Sequence, residues 1–281
     1  MNYRHAFHAG NVGDVLKHIV VAHILRYLQK KPGAVRVIDT HAGVGLYDLS
    51  ADEALRTGEA ERGVMPVMAA TPPPEVAETI APWLEAVRAE NPDGVLLAYP
   101  GSPRLVRNLM REQDRLTAVE LHPADAAALK ALFAGDHQVR VVSLDGWLAL
   151  GAFVPPKERR GLVLVDPAYE VGGELERLAS GIAGAWRKWP TGVYCGWYPI
   201  KAGDEGARID TILEAAGVDR RLRAELTVRA PDPDGPMAGS GLVVVNPPYT
   251  LAGDLMPVLS WLSSILMEAP GGGFRVTPNA K

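Results

Sequence analysis

The sequence of 281 residues has little cysteine, no long apolar run and no excess of basic charge. Its single cysteine, Cys195, excludes a scaffold held together by disulfides. The longest apolar runs, such as Gly161–Val165 and Gly241–Val245, are far shorter than the ~20 residues that a bilayer requires. The N-terminal residues also lack the apolar core of a signal peptide. We therefore expect a cytoplasmic protein that has no membrane partner.

The overall charge argues against a nonspecific nucleic-acid binder, because 29 Lys and Arg face 33 Asp and Glu, a formal net charge of −4. The charge is unevenly distributed, however. Residues 1–41 contain six basic residues, two acidic residues and five of the seven histidines. Such a segment on an acidic body predicts a surface that binds anions. The alternative is an ordinary helix whose lysines extend into solvent.

The composition is that of a globular chain, with 47% hydrophobic and 22% charged residues. Strands alternate with helices, which predicts an α/β fold with a mostly parallel sheet. The last two strands, Arg221–Val228 and Gly241–Asn246, are expected to form an antiparallel hairpin. Helical patterns interrupt the alternation over 50–98, so we expect a single domain over 1–281 with a small helical insertion there. The Gly-rich tail after Pro270 is expected to be mobile.

A glycine-rich turn, Asp-Thr-His-Ala-Gly-Val-Gly, begins at the end of the first predicted strand, Val35–Asp39. Gly43 and Gly45 lack a Cβ atom, so the backbone can approach a ligand closely, as in nucleotide-binding α/β units. A tight strand-to-helix turn would use the same residues. The dinucleotide-binding motif requires a third glycine where this chain has Asp48. That departure counts against an NAD(P)-dependent oxidoreductase, which is kept as an alternative.

Four predicted strands end in an acidic residue: Asp39, Glu120, Asp145 and Asp166. The carboxyl ends of neighbouring parallel strands meet at one crevice, where ligands bind. Each acid could instead cap the helix that follows it. Four acids at one crevice suit a ligand that is cationic or rich in hydroxyls and that carries no phosphate. S-adenosylmethionine has a ribose diol, an amino group and a sulfonium, and we predict it as the cofactor.

The fourth of these strands leads into Asp166-Pro167-Ala168-Tyr169, a sequence that suits methylation of an exocyclic amine. The amino lone pair of adenine is delocalised into the ring, so the nitrogen is a poor nucleophile. The Asp166 carboxylate and the Pro167 carbonyl can accept its two N–H groups and direct the lone pair towards a methyl donor. The ring of Tyr169 can stack on a base that has left its helix. A strand-ending turn with a packed tyrosine is the structural alternative.

A second candidate, Asn246-Pro247-Pro248-Tyr249, follows a later strand and matches the amino-methyltransferase motif better in spelling. Chain order favours Asp166, because it ends the fourth strand counted from the glycine-rich turn, where this type of sheet has its catalytic residue. Asn246 instead ends the last strand of the hairpin, which inserts between other strands. We therefore predict that Asp166 is the catalytic residue.

The chain resembles the 23S ribosomal RNA adenine-N6 methyltransferases of the large subunit methyltransferase J type. The most specific matching block is Tyr3–His18. Further blocks match in order to about Trp261: Asp39–Gly45, Tyr99–Pro103, Arg111–Asp114, Glu120–Pro123, Asp145–Gly146, Asp166–Glu170, Trp197–Pro199, Gly239–Gly241 and Asn246–Pro248. The family usually has a second proline in place of Ala168, a departure that is expected to loosen the turn without abolishing activity.

The resemblance implies a class I S-adenosylmethionine-dependent methyltransferase fold (Rossmann-like) and methylation of N6 of one adenine in 23S rRNA. It implies that Asp166, Pro167 and Tyr169 are catalytic. Cofactor contacts are expected from Lys17, His18, His41, Gly43, Ser102, Glu120, Asp145, Gly146 and Asp166. Contacts to the RNA substrate are expected from Tyr3, Arg4 and His8. We expect a monomer that acts on naked or early-assembly rRNA.

Two other functions remain open at this point. A DNA adenine-N6 methyltransferase shares the chemistry but usually has a dedicated target-recognition domain, for which the 50–98 insertion is small. A non-catalytic RNA-binding module would use the basic N-terminal segment alone and would have no need of a cofactor crevice. No histidine spacing resembles a zinc site and there is one cysteine, so no metal is expected.

Overall fold

Strands and helices alternate along residues 5–279, the part of the chain that the computed structural model describes. The strands are β1 Val35–Asp39, β2 Leu46–Asp48, β3 Ala98–Pro100, β4 Arg115–Glu120, β5 Val139–Ser143, β6 Arg160–Val165, β7 Val193–Ile200, β8 Arg221–Thr227, β9 Gly239–Val245 and β10 Gly273–Asn279. The helices are α1 Val12–Gln29, α2 Asp52–Thr57, α3 Val64–Ala69, α4 Pro74–Ala89, α5 Ser102–Leu109, α6 Pro123–Leu132, α7 Gly146–Ala152, α8 Glu174–Lys188, α9 Glu205–Ala215 and α10 Leu251–Leu266. Short 3-10 helices cover His5–Phe7 and Ala60–Arg62. Within these residues, no helix has the length and apolar character needed to cross a membrane.

Eight strands form one sheet in the order β10-β8-β9-β7-β6-β1-β4-β5, and β2 pairs separately with β3. Strands β1, β4, β5, β6 and β7 are parallel, whereas β9 runs antiparallel between β7 and β8. Buried Val and Leu residues make up most of β6 and β9, as expected for strands that are covered on both faces. With β10 set aside, this strand order is that of class I methyltransferases. The predicted fold class, including the antiparallel hairpin of β8 and β9, is confirmed.

Helix α1 is buried on nearly all sides, with 14 of its 18 residues buried. It begins at Asn11, whose side chain accepts a hydrogen bond of 2.8 Å from the backbone N–H of Asp14. Its apolar residues lie on every face, and it packs against α4, α5 and β9. The helix therefore carries three polar residues, Asp14, Lys17 and His18, into the interior of the protein.

The basic residues of the segment 1–41 do not share one surface in its described part, and anion binding by this segment stays a prediction. Lys17 is buried, and Arg36 pairs with Glu158 at 2.9 Å. Lys30 and Lys31 are exposed, but they lie between the end of α1 and the start of β1, at the amino edge of the parallel strands. The acidic strand ends lie at the opposite, carboxyl edge. A count of charges contains no information on which side chains tertiary packing buries, and so it could not separate Lys17 from the exposed lysines.

The segment 50–98 contains the predicted helices, here α2, α3 and α4. Helix α4 packs on α1 and α10, with Val76, Ile80 and Trp83 fully buried. It continues through Pro82, although a proline inside a helix removes one backbone hydrogen bond. That this segment is an insertion within one domain over 1–281 stays a prediction.

The prediction that the tail after Pro270 is mobile is wrong. Residues Gly273–Asn279 form β10, which pairs antiparallel with β8 over Arg221–Thr227. An edge strand leaves one row of backbone N–H and C=O groups without partners, and β10 supplies partners for that row of β8. Gly271, at a φ of +87°, allows the chain to turn into β10. Helix α10, which the sequence analysis did not predict, packs on both β8 and β10.

Candidate active site

A cavity of about 270 Å³ lies at the carboxyl edge of the parallel strands. Three of the four acidic strand-end residues, Glu120, Asp145 and Asp166, line it. So do all nine residues predicted to contact the cofactor: Lys17, His18, His41, Gly43, Ser102, Glu120, Asp145, Gly146 and Asp166. The fold brings these residues together, while their contacts to a cofactor stay a prediction.

The fourth acid, Asp39, is fully buried and does not belong to the cavity lining. Its carboxylate accepts hydrogen bonds from the Ser102 hydroxyl at 2.6 Å and from the His41 backbone N–H at 3.3 Å. Burial raises the pKa of Asp39 to about 7; the hydrogen bond from Ser102 opposes this rise and nearby Asp166 adds to it. Asp39 therefore holds two segments that do line the cavity, the start of α5 and the turn after β1.

A hydrogen bond connects the glycine-rich turn to Glu120. The Gly43 N–H donates to the Glu120 carboxylate at 2.8 Å. Gly43 has a φ of +61°, and a Cβ atom there would lie 2.3 Å from the Tyr47 hydroxyl oxygen. A Cβ atom at Gly146 would lie 2.2 Å from the backbone carbonyl oxygen of Thr40. A side chain at Gly146 would therefore push the backbone of the turn, and one at Gly43 would displace Tyr47 and strain its own backbone.

Asp145 has a structural role as well as a place in the cavity lining. Its carboxylate caps α7 by accepting from the backbone N–H groups of Trp147 at 2.8 Å and Leu148 at 3.1 Å. The capping interpretation of the strand-end acids thus applies to Asp145. The Trp147 ring lies beside it in the lining and packs edge-on against His41, with ring centroids 5.3 Å apart.

Two histidines of the cavity, His18 and His41, are neutral. Burial lowers the pKa of His18 to about 3 and that of His41 to about 4. The Nδ1 atom of His18 lies 2.9 Å from the Tyr99 hydroxyl oxygen. Its Nε2 atom is buried and has no hydrogen-bond partner within residues 5–279. A buried polar atom without a partner costs about 1–3 kcal/mol, a cost that a ligand bonded to His18 would remove.

Lys17 joins helix α1 to Asp166. Its ammonium nitrogen lies 2.5 Å from Oδ2 of Asp166 and 2.8 Å from Oδ1 of Asp14. Lys17 is only 3% exposed, so water screens these charges little. Burial alone would lower the pKa of Lys17, but the carboxylates of Asp14 and Asp166 raise it well above its usual value. Lys17 is therefore a buried cation held between two carboxylates.

The Asp166-Pro167-Ala168-Tyr169 motif is only partly in the cavity wall. Asp166, Pro167 and Ala168 line the cavity, whereas Tyr169 does not. Tyr169 has a φ of +55°, a conformation that is strained for an aromatic residue. Its hydroxyl donates to the backbone carbonyl of Trp197 at 2.8 Å. The structure thus brings Asp166 and Pro167 together but places the Tyr169 ring against Trp197, and the predicted stacking on a base stays a prediction.

The second motif lies at the opposite edge of the sheet. Because β9 is antiparallel to β7, its last residue precedes Asn246 at the amino edge of the parallel strands. The Asn246 side-chain amide donates to the carbonyls of Pro190 at 2.8 Å and Gly192 at 2.7 Å. Asn246 therefore holds the turn that leads into β7. It does not face the cavity, as the chain-order argument predicts.

The predicted RNA-contacting residues are less fully described. Tyr3 and Arg4 lie outside the described residues. His8 does not line the cavity; its Nδ1 atom lies 2.7 Å from a Glu59 oxygen, and this hydrogen bond raises the pKa of His8 despite partial burial. His8 thus connects the N-terminal segment to the segment 50–98.

The cavity lining also contains residues that the sequence did not predict, among them Asp14, Tyr47 and Trp147. A signal existed for Asp14, which is three residues before Lys17 and so lies on the same side of α1. No comparable signal marked Tyr47, because its approach to the site depends on the pairing of β2 with β3.

The described side chains offer neither a reactive thiol nor a metal-binding group. Cys195 is fully buried in β7, and burial raises its pKa to about 12, so the thiol stays protonated. Within residues 5–279, no three or more His, Cys, Asp or Glu side chains are grouped so that they could hold a metal ion.

A sheet of this strand order with an acidic cavity at its carboxyl edge defines the chain as a class I methyltransferase. The family model described as "Ribosomal RNA large subunit methyltransferase D, RlmJ" matches residues 32–278. The chain belongs to this family.

Relatives cover almost the whole chain. The Escherichia coli protein named ribosomal RNA large subunit methyltransferase J is 41% identical over 278 residues, which are 99% of this chain and 98% of that protein. A Haemophilus influenzae protein of the same name is 39% identical over 277 residues, 98% of each chain. A crystal structure of a Legionella pneumophila protein, 32% identical, superposes with a TM-score of 0.87 over 98% of this chain and 99% of that one.

Proposed function

We propose that this protein is an S-adenosylmethionine-dependent methyltransferase that modifies N6 of one adenine in 23S ribosomal RNA. The observation that carries the proposal is the Asp166-Pro167 turn in the wall of an acidic cavity, with its carboxylate held by Lys17. The names of the relatives supply the substrate class, large-subunit ribosomal RNA. The Asp166 carboxylate and the Pro167 carbonyl can accept both N–H groups of an amine, so we infer that the methyl group is transferred to an amino group.

The side chains of the cavity fit S-adenosylmethionine. Seven acidic residues and two Lys or Arg residues line it, which favours a cationic ligand and disfavours the phosphates of a dinucleotide. The carboxylates of Glu120 and Asp145 suit the ribose hydroxyls and the adenine amino group. Lys17 and the partnerless Nε2 of His18 suit the carboxylate of the methionine part. When bound, the cofactor supplies an activated methyl group on a cationic sulfur.

Asp166 and Pro167 orient the substrate amine. The Asp166 carboxylate accepts one N–H and the Pro167 carbonyl accepts the other, which leaves the nitrogen lone pair directed into the cavity. Because Lys17 contacts Oδ2 of Asp166, Oδ1 is the oxygen left for the amine. Catalysis by these residues is orientation of a poor nucleophile, and the amine proton leaves after the transfer.

Tyr169 completes the site for the base in this proposal. Its ring keeps partial exposure, and the Trp197 carbonyl fixes its hydroxyl end. A target adenine that leaves its helix would stack on this ring, and a strained backbone at such a position is common in functional sites.

The RNA partner is proposed to be naked or early-assembly 23S rRNA, bound by a monomer in the cytoplasm. Contacts are proposed for Tyr3 and Arg4, which precede His5 of the cavity lining in the sequence, and for His8, which follows it. Because the cavity itself is acidic, we expect modest RNA affinity that falls with salt.

Methyl transfer to an unmodified transcript tests the proposal directly. The purified protein is incubated with methyl-labelled S-adenosylmethionine and 23S rRNA transcribed in vitro, and the product nucleoside is identified. We expect N6-methyladenosine at a single position, and Asp166→Ala is expected to lose about 100-fold or more in rate while retaining much of its cofactor binding. Cofactor binding without transfer to RNA overturns the proposal, and transfer to duplex DNA in its place supports the DNA methyltransferase.

A further inference from the structure

Asp14 lies at the centre of a buried set of polar contacts that ends at Asp166. Its Oδ1 atom accepts from the Lys17 ammonium at 2.8 Å, and its Oδ2 atom accepts from the Gly10 backbone N–H at 2.9 Å. The Nε2 atom of His5 lies 2.9 Å from the same Oδ2 atom. Lys17 then contacts Asp166. Asp14 is 1% exposed, so these contacts form in the protein interior.

We propose that Asp14 is a positioning residue: it holds Lys17 so that the ammonium keeps the Asp166 carboxylate in the orientation that accepts the substrate amine. This inference deepens the proposed function and rests on it, because it assigns Asp14 a part in the same methyl transfer.

The flexibility of lysine explains why a second carboxylate is needed. A lysine side chain has four methylene groups and a charge without directional preference, so a single partner fixes its position poorly. Lys17 lies between Asp14 on its own helix and Asp166 after β6, and contact with both restricts the ammonium to one place. The (i, i+3) spacing on α1 sets the distance from Asp14 to Lys17 through the helix geometry.

Asp14 is itself held firmly. It lies in the first turn of α1, where the helix dipole favours a negative charge. Its backbone N–H donates to the Asn11 side chain at 2.8 Å, and its carboxylate accepts from the Gly10 N–H. Burial would raise the pKa of Asp14, but His5 and Lys17 hold it well below its usual value. A fixed and ionised Asp14 can therefore fix the Lys17 ammonium, which in turn fixes the Asp166 carboxylate.

Removal of the Asp14 charge should make Lys17 titrate. The charged groups in contact with the Lys17 ammonium are Asp14 on α1 and Asp166 after β6, and the buried Asp39 at the end of β1 also interacts with it. His18 is neutral, and His5 lies on the far side of Asp14. In Asp14→Asn one contacting carboxylate in place of two opposes the effect of burial on the pKa of Lys17, so that pKa falls. Above it, Lys17 is neutral and no longer holds Asp166.

The test measures single-turnover methylation of 23S rRNA at saturating cofactor, from about pH 6.5 to about pH 9.5, a range in which an ordinary lysine stays charged over most of the interval. The wild-type protein is measured first, because absence of transfer there refutes the proposed function and not the role of Asp14. For Asp14→Asn we expect a rate that is about 10- to 100-fold lower, as for a misplaced catalytic group. We also expect the rate to fall further towards alkaline pH, unlike that of the wild type.

Asp114→Asn is the matched control. Asp114 is also fully buried and ion-paired, with Arg111 at 2.9 Å, but it lies before β4 at the opposite edge of the sheet. We expect this substitution to lower the thermal midpoint of unfolding, to leave the methylation rate within about twofold of wild type, and to add no alkaline decline.

Asp14→Glu tests the position of the charge. It retains the carboxylate but moves it by one methylene group, so we expect a lower rate at saturating cofactor with a wild-type pH profile. Should Asp14→Asn not fold, this variant decides the question by its rate at saturating cofactor. Wild-type rates in the Asp14 variants overturn the proposal. So does a pH-independent loss in Asp14→Asn that matches the loss in Asp114→Asn, or a loss in Asp14→Glu that disappears at saturating cofactor.

Discussion

The hydroxyl of Tyr169 donates a hydrogen bond of 2.8 Å to the backbone carbonyl of Trp197, which joins the turn after β6 to strand β7. The two aromatic rings meet edge to face, with centroids 5.5 Å apart and planes inclined at 72°. Strand β7 therefore supports the ring of Tyr169 from one side. In the proposed function, this support fixes the ring on which the target base stacks.

Substitutions at Tyr169 should separate the ring from the hydroxyl. Tyr169→Phe retains the ring but leaves the Trp197 carbonyl without its donor, so we expect the free energy of unfolding to fall by about 1 kcal/mol. Its kcat/KM for rRNA is expected to stay within about threefold of the wild-type value. Tyr169→Ala removes the stacking surface, worth about 1–3 kcal/mol per base, and should lower kcat/KM by about 10- to 100-fold. Equal losses in both variants would assign the effect to the hydroxyl and contradict the stacking role.

Asn246 should matter for stability and not for methyl transfer. Its amide bonds to the Pro190 and Gly192 carbonyls would be lost in Asn246→Ala, and alanine tolerates the φ of +54° less well than asparagine. We expect urea denaturation to show a loss of about 2 kcal/mol, with kcat unchanged at temperatures where the variant is folded. Asn246→Gly removes the same hydrogen bonds without the backbone strain and should lose less. A reduced kcat in a fully folded variant would mean that the second motif, Asn246–Tyr249, takes part in methyl transfer.

The cavity lining was predictable because it depends on local patterns and one topological rule. Short runs of Val, Ile and Leu that stop at an acid, as in β4 at Glu120, locate both the strand and its end. The rule that parallel strands share a carboxyl edge then brings Asp145 and Asp166 together without any knowledge of side-chain packing.

Features that depend on packing between distant segments were not predictable. The burial of Lys17 requires knowledge that α1 is covered by α4 and α5, and its contact with Asp166 spans 149 positions of the chain. The pairing of β10 with β8 likewise depends on an edge that is open only in the folded sheet. The position of the Tyr169 ring against Trp197 depends on a backbone conformation that is rare for tyrosine and that the sequence does not predict.

Acidification should destabilise the fold through His18 and His41. Their folded pKa values, about 3 and about 4, are below the ordinary 6.5, so the unfolded chain binds protons that the folded chain does not. Their contribution to stability is complete above pH 6.5 and is lost as the pH falls towards these values. Asp39 acts in the opposite sense, because its folded pKa of about 7 exceeds the ordinary 3.8 and the folded chain holds the extra proton between them.

Thermal midpoints measured between about pH 7.5 and about pH 5 check these signs, since the two histidines and Asp39 titrate differently in the folded and unfolded chains over that interval. We expect His41→Gln to reduce the loss of stability on acidification relative to the wild type. Asp39→Asn removes the opposing contribution and should increase that loss. A His41→Gln slope steeper than that of the wild type would mean that His41 is charged in the folded protein.

Charge reversal at Lys30 and Lys31 tests where the RNA lies. Both residues are exposed at the amino edge of the sheet, separated from the cavity by the length of β1, five residues or about 17 Å. At physiological ionic strength exposed charges are screened over about 8 Å, so they act little on a ligand at the other edge. Lys30→Glu/Lys31→Glu is therefore expected to leave methylation of 23S rRNA within about twofold of the wild-type rate at moderate salt.

The control is Arg177→Glu, a charge reversal in the cavity lining, which should lower the methylation rate under the same conditions. If the lysine double variant instead loses RNA affinity in a salt-dependent manner, the RNA extends around the molecule to the amino edge, and the basic segment regains the role that its charge count suggested.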